Sequence, residues 1–185
     1  EKAEEQKIAD AKAAEDKRIA EELFNKQKKG IKPERQKEFL NIVKTHADKY
    51  AKGKSEIKKS LYRKKRIKAF TKHFNESMCF KSWVGTVRSL DLDKNGDAML
   101  GIDIGGYIFL NYGSKAIPMS NSLFDTVAEM EENDKVVLSG CFESHNDTFA
   151  DNWYLWTHEK TEKGAMTSPT FQGSYKEDAL QSFVT

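Results

Sequence analysis

Four side chains able to do chemistry, His145, Asp147, Asp151 and His158, fall close together near the end of a 185-residue chain. Imidazoles and carboxylates are metal ligands and acid–base groups. Their spacing sets no common face, however, so they read as polar loop residues and neither a metal site nor a catalytic group is assigned. The same segment carries Phe149, Trp153, Tyr154 and Trp156. Exposed aromatics of this kind stack on bases or sugar rings, or fold back over the end of a barrel; they are the candidate ligand-binding set. Asp91-Leu92-Asp93-Lys94-Asn95-Gly96-Asp97 matches the opening of a calcium loop. Its twelfth position would be Ile102 rather than a bidentate Glu, so a type I′ hairpin turn at Asn95-Gly96 is the better reading. No Ser-His-Asp or Cys-His arrangement, P-loop or Rossmann glycine signature occurs, and neither an enzyme nor a cofactor is expected.

The strongest charge signal lies elsewhere. Residues 26–72 carry 18 Lys/Arg against 4 Asp/Glu, residues 73–185 carry 8 against 17, and residues 1–25 carry 5 against 8. A net charge of +2 thus conceals a basic middle and an acidic C-terminal part. The basic density peaks at Lys58, Lys59, Arg63, Lys64, Lys65, Arg66, Lys68 and Lys72, a candidate patch for nucleic acid or anionic lipid headgroups. Two plainer readings stand beside it: a solvated face, or a face that docks on the acidic part of the same chain. His46 and His73 are assigned no role.

These residues need elements to position them. Residues 1–29 are helix formers without Gly or Pro and predict a solvated helix or a short stalk. Residues 30–74 predict basic amphipathic helices: one starts near Pro33 with an apolar stripe at Phe39, Leu40, Val43, Ala47 and Tyr50. A second follows Gly53 with Ile57, Leu61, Phe70 and Phe74. Over residues 75–185 the period changes to two. Strands are expected from Trp83 to Leu90, Met99 to Ile104, Tyr107 to Tyr112, Lys135 to Phe142 and Thr170 to Tyr175. A short helix over 121–132, capped by Ser120 or Asn121, separates the third strand from the fourth. The expected class is therefore α+β: an N-terminal helical arm followed by a five-stranded OB-like β-barrel with one helix between strands three and four.

Cys79 and Cys141 are too few for a disulfide framework; one bridge and two separate buried thiols are both compatible with the sequence. Mean hydropathy is −0.73, and no run approaches the roughly 20 apolar residues of a membrane span. The chain opens at Glu1 without Met, which suggests an upstream segment.

The segments from Ser55 to Ser60, Arg63 to Arg66, Trp83 to Val87, Val136 to Phe142 and Thr161 to Phe171 resemble a family of bacterial and prophage-associated proteins. That family is often described as lipoproteins or membrane-tethered proteins, with a helical N-terminal part and an OB-like C-terminal domain. Thr170 after Pro169, and Gly173-Ser174 in the final strand, depart from its charged pattern. The resemblance implies a periplasmic or envelope location, with the cytoplasm as the alternative, and little about activity. The expected function is a non-catalytic module binding a protein, peptide or glycan. A nucleic-acid-binding protein using residues 58–72, and a metal-dependent enzyme centred on 145–158, are the alternatives. Membrane contact is expected only through an upstream anchor, and the oligomeric state is left open.

Overall fold

The computed structural model describes residues 2–74, 78–106, 108–112, 116–142, 155–156, 166 and 170–183. Helix α1 spans Lys2–Lys28, and every described residue from Glu4 to Lys26 is exposed. Its surface is held by local pairs such as Glu15–Arg18 and Glu22–Lys26, each at 2.6 Å. Pairs of this kind add only tenths of a kcal/mol, about 0.2–0.5 each. The helix stops at Gly30, whose φ of 75° lets the Gly30 and Ile31 amides turn back to the Gln27 and Lys26 carbonyls.

Helix α2 (Glu34–Ala51) begins at Pro33, which supplies its N-cap. Helix α3 (Glu56–Phe74) begins at Ser55, whose Oγ accepts from the Lys58 amide at 3.3 Å. The two helices pack on each other. Their inner faces carry Phe39, Val43 and Tyr50 from α2 and Phe70 and Phe74 from α3, all buried.

The expected apolar stripe of α3 is corrected in its first half, since Ile57 is 84% and Leu61 47% exposed. The cause is helical phase. Leu61 and Phe70 are nine residues apart, two and a half turns at about 3.6 residues per turn, and so lie on opposite faces.

Beyond the helices come β1 (Cys79–Leu92), β2 (Ala98–Gly105), β3 (Ile108–Tyr112), helix α4 (Ser122–Ala128), β4 (Lys135–Phe142), β5 (Leu155–Trp156) and β6 (Thr170–Phe183). The fold is thus mixed α and β, with four helices among the described residues. Its centre is the four-stranded antiparallel set β3-β2-β1-β4. The full strand order is β3-β2-β1-β4-β6-β5, and β3 also pairs in parallel with β6 from Phe109↔Thr170 to Tyr112↔Gly173. Among the described residues there are six strands where five were expected, and the four-stranded antiparallel set is an open sheet, so the expected five-stranded barrel is not shown. The added strand β5 has two residues, too few to leave a period-two pattern in the sequence. The expected helix between strands three and four is present as α4, and Asn121 Oδ1 caps it by accepting from the Leu123 amide at 2.9 Å.

The turn joining β1 to β2 is not type I′. That type needs positive φ at both central residues, whereas Gly96 (85°) takes positive φ and Asn95 does not. Asp93 organises the loop instead. Its carbonyl accepts from Gly96 N at 3.0 Å, and its Oδ1 accepts from the Asn95 and Asp97 amides at 2.7 and 3.1 Å.

Helices and sheet share one core. Phe39 sits at its middle, with ring centroids 5.0 Å from Trp83, 5.1 Å from Phe171, 5.2 Å from Phe70 and 5.5 Å from Phe142. Cys79 and Cys141 are cross-strand partners on β1 and β4, joined by a disulfide with Cα atoms 3.9 Å apart.

A polar seam fixes α2 to the sheet. Gln36 is fully buried; its Nε2 donates to the Val84 and Ile104 carbonyls at 2.6 and 2.9 Å, and its Oε1 accepts from Val84 N at 2.8 Å. One amide thus serves three backbone groups next to the β1 irregularity between Phe80 and Trp83. There Ser82 adopts φ 57°, its amide donating to Ser139 Oγ and its carbonyl accepting from Gln27 Nε2. Each buried polar group left unpaired costs about 1–3 kcal/mol. Gln36→Leu is therefore expected to destabilise the protein by at least about 3 kcal/mol in urea denaturation despite the similar size of the two side chains. A loss below 1 kcal/mol would show that water replaces the amide.

Candidate functional site

Helix α3 contains eight Lys/Arg residues and one acidic residue, Glu56. Lys58, Lys64, Lys65, Lys68 and Lys72 are exposed. At about 100° per residue they fall, with Ile57 and Leu61, within an arc of roughly 120°, opposite the side that buries Arg66 and Phe70. Glu56 lies outside this arc and is held by Lys59 Nζ at 2.7 Å. The lysine face therefore carries no carboxylate of its own helix and points away from the core. Among the described residues this face is turned away from the sheet rather than docked on it.

Three members of the expected patch are placed differently. Lys59 and Arg63 are half-buried, and Lys59 Nζ lies 5.9 Å from the centre of the Tyr50 ring. Arg66 is 1% exposed, with its guanidinium carbon 5.8 Å from the Phe70 ring centre. Burial, followed by the neighbouring charge of Arg63, pushes its pKa down to about 9. It remains cationic at neutral pH, yet it belongs to the interior and not to the patch. Arg66 stands one turn before Phe70, so helical phase would have revealed this from sequence.

An open cleft of about 520 Å³ adjoins the end of the lysine face between α2 and α3. It is lined by Arg35, Glu38, Asn41, Ile42, Lys72 and His73 among others. Arg35 Nη2 donates to the His73 carbonyl at 2.5 Å, and His73 Nδ1 lies 3.5 Å from Glu38 Oε2. The His73 side chain is 6% exposed, and its Nε2 is buried with no hydrogen-bond partner among the described residues. A second proton on the ring would be poorly compensated. Burial first, and the Arg35 charge second, hold the His73 pKa below its ordinary value, with Glu38 opposing them.

His73 is neutral in both folded and unfolded states above about pH 6.5, whereas below that the unfolded chain takes up the proton first, so acid destabilises the fold. His46, also lowered chiefly by burial, acts in the same direction. Stability is thus expected to fall below about pH 6.5, and His73→Gln to flatten that fall. Identical pH profiles for parent and variant would remove His73 as a cause.

Trp156 belongs to β5 through its backbone, facing Thr170 of β6 in register. Phe149, Trp153 and Tyr154 lie outside the described residues, as do His145, Asp147, Asp151 and His158. Among the described residues no group of three or more His, Cys, Asp or Glu side chains is placed to hold a metal. Around Asp93 the oxygens that would face a cation accept backbone amides instead. No helix among the described residues is long and apolar enough to cross a membrane.

Sequence reasoning missed the cleft, the exposure of Ile57 and Leu61, and the anchoring role of Gln36. The last left a signal: a polar residue three positions before Phe39 on an otherwise apolar face. Comparisons of the chain with protein-family models, curated proteins and solved structures find no match.

Proposed function

We propose that this protein is a non-catalytic binding module in which the sheet is the scaffold and the α2–α3 hairpin presents a cationic surface to an anionic partner. The carrying observation is the lysine face of α3, exposed and without a carboxylate along its arc. Such a surface raises the local concentration of anions and speeds their capture. The scaffold is proposed to be an OB-like barrel. The parallel pairing of β3 with β6, together with α4 between β3 and β4, supports that topology. The location is proposed to be the periplasm or envelope, supported by the Cys79–Cys141 disulfide, since such bonds persist in oxidising compartments.

Long-chain inorganic polyphosphate is a suitable probe. Replacing Lys64, Lys65 and Lys68 by Gln is expected to weaken its binding at least about tenfold. Replacing the exposed Lys44 and Lys49 of α2 in the same way should change it little. Equal losses in the two variants would show that net charge, and not the α3 face, governs binding.

A further inference from the structure

We infer that the partner of the α3 face is an anionic lipid bilayer, on which the helix lies flat along the headgroups. This rests on the proposed cationic binding surface and goes beyond it by naming what the surface meets. Ile57 and Leu61, one turn apart, are 84% and 47% exposed on the same arc as the lysines. Against a phosphate strand two aliphatic side chains of this kind gain little, because nucleic-acid affinity comes from charge and polar contacts. At a bilayer both kinds of residue are used: the aliphatic pair enters the boundary of the acyl chains while lysines stay among the headgroups, their stems lying along apolar surface.

The geometry suits a helix in the plane of the interface. Nineteen residues extend about 28 Å, and the opposite face is already fixed in the core by Phe70 and Phe74. Docking therefore requires no opening of the fold. The carboxylates nearest this helix do not interrupt the surface, since Glu56 is held aside by Lys59 and Glu38 lies across the cleft beside His73.

Co-sedimentation of the full chain with vesicles tests this, comparing pure phosphatidylcholine with vesicles containing about one-third phosphatidylglycerol. Duplex DNA titrated in parallel is the competing polyanion. The chain is expected to bind the anionic vesicles and to leave the neutral ones largely free. Ile57→Ser with Leu61→Ser should weaken vesicle binding about tenfold and leave DNA binding unchanged. Lys64→Gln, Lys65→Gln and Lys68→Gln together should weaken vesicle binding about a hundredfold, near fivefold per lysine. All these positions are exposed, so unchanged thermal unfolding checks that each variant folds.

Vesicle binding indifferent to the Ile57 and Leu61 changes would overturn the inference. So would lysine-dependent binding to DNA without binding to vesicles, although the cationic surface would then stand. Binding to vesicles and DNA that survives the lysine changes would overturn both.

Discussion

Phe39→Ala is expected to cost about 3–5 kcal/mol, the range for a buried aromatic truncated in a packed core. Phe39 is 1% exposed and is the ring that α2 brings against α3, β1, β4 and β6 at once, through Phe70, Trp83, Phe142 and Phe171. Aromatic pairs add about 0.5–1.5 kcal/mol beyond area burial, and the void left by one ring would be lined by parts of five elements. Natural domains hold only about 5–15 kcal/mol of stability, so the variant should sit near its unfolding transition at room temperature. Urea denaturation reads the effect as a lower midpoint with unchanged slope. Ile57→Ala, which truncates an apolar side chain at an exposed site, should leave the midpoint where it was. A Phe39→Ala variant within 1 kcal/mol of the parent would show that the helices and sheet do not share one core.

Removing the disulfide is the second large effect. Cys79 and Cys141 are 62 residues apart in sequence and directly paired between β1 and β4. In the chain-entropy account, closing a loop of that length in the unfolded chain stabilises the native state by about 4 kcal/mol. Cys79 is exposed, so a soluble reductant reaches the bond without prior unfolding. Reduced protein, and the Cys79→Ser, Cys141→Ser double variant, are expected to unfold at clearly lower urea than the oxidised parent. A shift below about 1 kcal/mol would mean that the unfolded chain already keeps the β1–β4 pairing, so that the bond constrains little.

Much of the fold was legible because its local chemistry and its final packing agree. Asn121 caps α4 as its side chain invites, Lys135–Phe142 matches the expected fourth strand end to end, and Gly30 ends α1 through its positive φ. Other features escaped for physical reasons. Asn95-Gly96 is a local signal for a type I′ turn, but Asp93 can satisfy three amides at once and stabilises a longer loop. The stripe assigned to α3 joined residues half a turn out of phase, which hid the exposure of Ile57 and Leu61 and the burial of Arg66. The pairing of β3 with β6 joins parts of the chain far apart in sequence, and no local pattern records it. Charge composition located the basic helix correctly, and helical phase counted from the buried Phe70 separates the inward Arg66 from the outward lysines.

The lysine face of α3 as a binding surface is tested most directly by the salt dependence of polyanion affinity, measured on the intact chain and on the Lys64→Gln, Lys65→Gln, Lys68→Gln variant. Every lysine–phosphate pairing that the substitutions remove should reduce the slope of log affinity against log salt by about 0.9, so the variant's slope is expected to be shallower by about two to three. An identical slope in the two proteins, or binding insensitive to salt in the parent, would contradict it.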